Sequence, residues 1–312
     1  LEFEPANNIS IENSDPIQIQ ELVKFAKEVL ENRQDFHTNI DNEKGFSDIL
    51  QVGSSAGGAR AKAIIAYNET TGEVRSGQVD GLEGFDYWLI KFDGVTNQQL
   101  GDPKGYGNIE YAYYLMAVDC GITISESKLM TENGRSHFLT KRFDRQNNQK
   151  IHMQTLCGLA HFDYNQPRTY SYEQAFQVLR QMKLPYSDME ELYRRMVFNV
   201  MSRNQDDHTK NISFLMFPDG KWQLSPAYDI TYAYNPDNFW LKAHQMSVNG
   251  KRENITVEDL LAVAKNVNIK KPKTIIELCN KVLSNWKIYA EKSGIDIAQI
   301  AQIESQMTLY KL

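Results

Sequence analysis

The sequence predicts an α/β (α+β) chain in two lobes, a mixed sheet followed by a mainly helical part. Three observations carry this. Strand-like apolar stretches and one helix crowd the first 145 residues, helical spacing dominates the rest apart from one short hairpin, and 312 residues is enough for two cores. The expected division is 1–145 and 146–312.

In order along the chain, Ile17 to Leu30 is amphipathic, with Leu22, Val23, Phe25, Ala26, Val29 and Leu30 forming the apolar stripe of a helix. Val52 to Lys62 is a run of small residues leading into the apolar strand Ala63 to Tyr67. Glycines let backbone amides approach phosphates. Yet Ala59 stands where a Walker A lysine would follow Gly58, and no G-x-G-x-x-G occurs, so by itself the run reads as a flexible turn.

Val74 to Val79 and Tyr87 to Asp93 are predicted strands. The second contains Lys91, and a lysine among apolar residues is costly to bury unless it meets an anion such as a nucleotide phosphate; an edge position facing water is the alternative. Asn108 to Val118 is a helix with Glu110 in its first turn, where an acid favours the helix dipole and where a kinase places the partner of its strand lysine. His137 to Arg145 is a further strand. From His152 onward the pattern is mainly helical, with helices at Ser171 to Met182, Met189 to Met201, Ile255 to Val267, Pro272 to Ser293 and Ile295 to Tyr310.

The chemistry concentrates where the helical spacing of Leu192 to Val200 dies in Asn204-Gln205-Asp206-Asp207-His208. The chain resumes as the hairpin Ile212 to Phe217 and Trp222 to Leu224, turning at Pro218 to Lys221. This sets Asp206, Asn211 and Asp229 at the ends of a loop and a hairpin. A carboxylate, an amide oxygen five residues later and a second carboxylate are what phosphoryl transfer requires. One acid orients or deprotonates the acceptor hydroxyl, while the other two oxygens hold magnesium on the nucleotide phosphates. The D-x-x-x-x-N spacing is that of a kinase catalytic loop, although the usual His-Arg before it and Asp-Phe-Gly after it are absent. A solvated turn whose asparagine caps the next strand is the plain alternative. A zinc or hydrolase centre of Asp206, Asp207 and His208 is the other, which adjacent side chains serve poorly.

Composition bounds the partners. A net charge of -6 gives no basic excess for binding nucleic acid unaided, so any DNA role needs a partner. No apolar run approaches the roughly 20 residues that cross a bilayer. Cys120, Cys157 and Cys279 lie far apart, which points to neither a disulfide framework nor a zinc cluster and fits a reducing cytoplasm. The chain begins at Leu1 without a signal-peptide pattern and is expected to be the body of a longer chain.

The string N-Q-D-D-H-T-K-N-I-S-F followed by L-S-P-A-Y-D-I resembles the signature of HipA-family serine/threonine kinases, the toxin components of bacterial toxin–antitoxin pairs. The resemblance implies a two-lobed protein-kinase-like fold that uses ATP and magnesium. It assigns Asp206 as catalytic acid or base, with Asp207 where some members have glycine, and Asn211 and Asp229 to the metal. Lys91 goes to the phosphates with Glu110 as the acid beside it, and His208 and Lys210 either hold phosphate or shape the loop. Gly58-Ala59-Arg60-Ala61-Lys62 is similar to the family's G-A-x-x-K loop. Ser55 takes the position that many members autophosphorylate, with Ser54 beside it. Arg142-Phe143-Asp144-Arg145 resembles the hinge, which would bring the main chain of Lys141 and Phe143 to the adenine and Asp144 to the ribose. The implied partners are a protein substrate and a HipB-like DNA-binding antitoxin, with no membrane. The family's N-terminal subdomain is not in the sequence; either it was removed from a longer chain, or a separate small protein takes its place and is a further expected partner. A kinase-shaped module that only docks to the antitoxin as co-repressor is the alternative from another class.

Overall fold

The computed structural model describes residues 16–20, 22–23, 61–77, 82–94, 105–146 and 149–312. The chain separates into two compact units, residues up to 111 together with 125–150, and 112–124 together with 151–312.

In the first unit the described strands are β1 (Lys62–Tyr67), β2 (Val74–Ser76), β3 (Asp86–Lys91), β4 (Ser127–Glu132) and β5 (Arg135–Lys141). They form one antiparallel sheet in the order β2-β1-β3-β5-β4. The β4–β5 turn, Asn133-Gly134, has both residues at positive φ (43° and 76°), the conformation that an Asn-Gly hairpin supplies. Along β3, Trp88 and Ile90 enter a core with Ile17, Leu22, Val23, Ile65 and Leu139. Strand alternation therefore turns Tyr87 and Lys91 to the opposite face. Two short strands, β6 (Arg145–Gln146) and β7 (Gln149–Lys150), follow as a hairpin of their own.

Helix α1 (Tyr106–Asp119) begins two residues before the expected start, which puts Glu110 in its second turn rather than its first. Gly107 sets its approach to β5, because a Cβ there would collide with the Ser136 carbonyl.

In the second unit, β8 (His152–Thr155) pairs with β9 (Ser213–Met216), which pairs with β10 (Trp222–Leu224). β9 and β10 form the expected hairpin, whereas β8, at the start of the mainly helical stretch, is a strand that the sequence does not predict. The helices are α2 (Leu156–Ala160), α3 (Tyr172–Gln181), α4 (Tyr186–Ser202), α5 (Val257–Val267), α6 (Pro272–Leu283), α7 (Trp286–Lys292) and α8 (Ile297–Glu304). α4 is the buried centre, with Leu192, Met196, Val197, Phe198 and Met201 excluded from solvent. Tyr113 packs edge-on against Phe198 and Trp286 and donates its hydroxyl to the Ser202 carbonyl at 2.6 Å.

The single helix expected over Pro272 to Ser293 is two. Ser284 and Asn285 turn their side chains onto the Lys281 carbonyl, the local bonding that competes with helix continuation. The break lets Trp286 bury fully and donate to the Ile300 carbonyl. The last predicted helix closes at Glu304, after which Thr308 donates its N–H to the Met201 carbonyl instead. Among the described residues no helix is long and apolar enough to cross a membrane.

α5 starts in a capping box, Thr256 with Asp259. Burial acts to raise the Asp259 pKa, but Lys251 (2.8 Å), Asn249 (2.9 Å) and the Thr256 N–H (2.8 Å) outweigh it and hold the carboxyl down to about 2. A folded-state pKa below the unfolded one stabilises above the unfolded value and loses that stability as pH falls through the folded value. Asp259→Asn is therefore expected to cost about 2 kcal/mol at neutral pH, with the two proteins converging as pH falls from about 4 to 2. Urea titrations at several pH values check this, and a pH-independent gap refutes it.

Candidate active site

In the first unit, Lys91 ends β3 and reaches Glu110 of α1 at 2.5 Å. Both side chains are nearly excluded from solvent, at 9% and 2% exposure. Burying a lysine is costly unless a carboxylate compensates it, and Glu110 supplies that partner.

The sheet uses the Lys141 main chain: its N–H donates to the Glu126 carbonyl (2.8 Å) and its own carbonyl accepts the Ser125 hydroxyl (2.5 Å). The carbonyl's second lone pair is what this residue can offer a base. Phe143 and Asp144 lie in the turn after β5. Burial acts to raise the Asp144 pKa, but the two-pronged Arg142 contact (2.8 and 2.5 Å) and Arg145 hold it below the usual carboxylate range. Ser54, Ser55 and the small-residue loop around them lie outside the described residues.

In the second unit, α4 ends at Arg203, whose φ of 61° turns the chain out of the helix into the polar loop. The two adjacent aspartates separate sharply. Asp206 has a side chain 44% exposed, with His208 Nε2 at 3.8 Å. The Asp207 side chain is 1% exposed and accepts from the Tyr172 hydroxyl (2.9 Å), His244 Nδ1 (2.9 Å) and the Gln245 N–H (2.7 Å). Its lone pairs are directed to the protein, so Asp207 is placed to hold and Asp206 to react. This also removes Asp207 from a zinc centre with Asp206 and His208. Among the described residues no group of three or more His, Cys, Asp and Glu side chains could hold a metal.

Asn211, in the 3-10 turn Thr209–Asn211, donates its amide N–H to the Asp206 carbonyl at 2.8 Å. That orients its Oδ1 away from the bond as an acceptor. Asp229 sits at φ 56°, a backbone region few residue types enter and one where strain marks functional positions. Asn211, Asp229, Asp207, His208 and Tyr228 help line a cavity of about 20 Å³, room for one water-sized occupant. An amide oxygen and a carboxylate are hard donors, and magnesium takes one or two such ligands from the protein and the rest from phosphates and water. The residues fit that ion.

Tyr228 fixes the approach to Asp229. Burial pushes its hydroxyl pKa up, and the neutral group bonds the Lys210 carbonyl and Ser213, both at 2.5 Å. Arg195, buried within α4, holds the same segment through the Ser225 carbonyl (2.7 Å) and bonds Thr123 and Glu191. Lys210 Nζ stands 3.4 Å over the Tyr164 ring, whose edge also meets His208. Tyr172, Asn199, Arg195 and Tyr228 were not singled out from the sequence. The available signal was Arg195 and Asn199 on the apolar face of a helix that must be buried.

A sheet unit with a lysine–glutamate pair, and a helical unit presenting an acid, an amide and a second acid from loop and hairpin ends, make a protein-kinase-like fold. Within that class the chain belongs to the HipA-like C-terminal domain family, which matches residues 54–286. Its fold is similar to that of HipA from Shewanella oneidensis MR-1, at 17% identity and TM-score 0.65, over 97% of this chain and 72% of that one. The Helicobacter pylori proinflammatory kinase CtkA aligns at 13% identity and TM-score 0.43, over 71% of this chain and 88% of CtkA. Among curated proteins none matches the chain by sequence.

Proposed function

We propose that the chain is an ATP- and magnesium-dependent serine/threonine protein kinase of a bacterial toxin–antitoxin system, acting in the cytoplasm on a protein substrate, with an aminoacyl-tRNA synthetase as one candidate. The observation that carries this is the division of labour between neighbouring acids. Asp206 is exposed while Asp207 is buried and saturated, and Asn211 bonds the Asp206 carbonyl directly.

ATP supplies the phosphoryl group, and magnesium neutralises its oxygens. Asp206 orients the acceptor hydroxyl and takes its proton as the new O–P bond forms and the bond to the departing ADP breaks. Asn211 and Asp229 hold the metal. Lys91, fixed by Glu110, steadies the phosphates, and His208 and Lys210 assist them or shape the loop. Lys141, Phe143 and Asp144 receive the nucleoside.

Shewanella HipA is known in complex with HipB and operator DNA. That complex supports a HipB-like antitoxin as partner here, with DNA reached through it.

Incubation of the purified chain with labelled ATP and magnesium tests the reading. Self-labelling on Ser55, with Ser54 as second acceptor, is expected by mass spectrometry. A folded chain that binds antitoxin but labels neither itself nor any bacterial protein would be a kinase-shaped co-repressor instead.

A further inference from the structure

The loop that carries Asp206 is closed into a ring by side chains from two helices. Asn204 donates its Nδ2 to Asn199 Oδ1 at 2.9 Å, and Asn199 donates its own Nδ2 to the Tyr172 hydroxyl at 3.0 Å. Tyr172 in turn donates to Asp207 Oδ2 at 2.9 Å. The main chain from Asn204 through Gln205 and Asp206 to Asp207 completes the circuit. Every donor points the same way, so each bond polarises the next, and the negative carboxylate stands at the end of the series. Asn204, Tyr172 and Asp207 are 3%, 1% and 3% exposed, so these bonds run largely out of contact with bulk solvent.

The ring joins both flanks of one residue. Asn204 is anchored from α4 by its side chain and by its N–H to the Asn199 carbonyl. Asp207 is anchored from α3 through Tyr172 and from the 244–245 segment through His244 and Gln245. Between them the Gln205 N–H meets the Ala233 carbonyl, and the Asp206 side chain projects outward. Short of a covalent bridge, holding the chain on both sides is an effective way to fix a side chain that is itself 44% exposed.

We propose that Asn204, Asn199, Tyr172 and Asp207 form a hydrogen-bonded clamp that fixes the direction of Asp206, which makes Tyr172 and Asp207 positioning residues for phosphoryl transfer. The clamp's catalytic consequence rests on the kinase reading, whereas its existence does not.

Tyr172→Phe removes one hydroxyl and keeps the ring's packing. By hydrogen exchange, the Gln205 and Asp206 amides are expected to exchange about fivefold faster than in the parent, as loss of one hydrogen bond implies. The turnover rate should fall about tenfold to hundredfold while KM for ATP stays within about twofold, because misplacing a reacting group by an ångström has effects of that order. Asn204→Ala opens the ring at its far end, leaves all three bonds on Asp207, and should accelerate the same amides if Tyr172→Phe fails to fold. Tyr193→Phe, which removes another buried hydroxyl, bonded to the Leu260 carbonyl, should do neither. Unchanged loop exchange in both ring variants overturns the clamp. A raised KM with unchanged turnover overturns the positioning role. A parent that transfers no phosphoryl group refutes the kinase reading and leaves loop exchange to decide the clamp.

Discussion

Asp206→Asn is expected to fold like the parent and to lose about 10² to 10⁴ in phosphoryl-transfer rate, the usual worth of a positioned acid or base. The side chain is 44% exposed, so removing its charge disturbs little packing. The carbonyl that accepts from Asn211 belongs to the backbone and survives the change. The neighbour supplies the contrast. Asp207→Asn would place an amide donor against Tyr172, His244 or the Gln245 N–H, all of which already donate, and should be read first as lost stability. Denaturant titration and kinetics on both variants separate the two acids. Wild-type activity in Asp206→Asn would sink the assignment.

The second large effect lies in the first unit. Removing one member of a buried ion pair strands its partner's charge, a loss of about 3–5 kcal/mol, whereas replacing both members with neutral groups of similar size is close to neutral. Lys91 and Glu110 are buried enough for that rule. Lys91→Met and Glu110→Gln should each destabilise the unit strongly, and the double variant should recover most of the stability but none of the phosphoryl transfer. Thermal unfolding of the four proteins forms the cycle. A double variant that loses the sum of the two single losses would mean that the pair is not coupled.

Much of the candidate site could be read from the sequence because its chemistry sits in contiguous strings. The D-x-x-x-x-N loop and the hairpin after it are local features; α4 ends ahead of a polar loop and β9 pairs with β10, as the sequence predicts. What stayed hidden is assembled from distant segments. Tyr172 and His244 are 35 and 37 residues from Asp207, and no periodicity announces a hydrogen bond across such a gap. β5 falls on the strand predicted over His137 to Arg145, but β4 and the turn before β5 were missed although Asn133-Gly134 is a strong turn signal, because Lys128 and Glu132 dilute the alternation of β4. β8 was missed because all four of its residues are only half-buried, which leaves no apolar stripe to read. The Pro272 to Ser293 stretch looked like one helix because its apolar spacing continues through the break at Ser284 and Asn285.

The bonds on Asp207 also impose an order of synthesis. Two of the three come from His244 and Gln245, which leave the ribosome after Asp206 and both metal-binding candidates. A nascent or truncated chain ending before residue 244 has every residue named for the chemistry but only the Tyr172 anchor on Asp207. The fully anchored loop therefore forms late in translation, after the 244–245 segment has emerged and docked, and shorter fragments would carry the motif with Asp207 held from α3 alone.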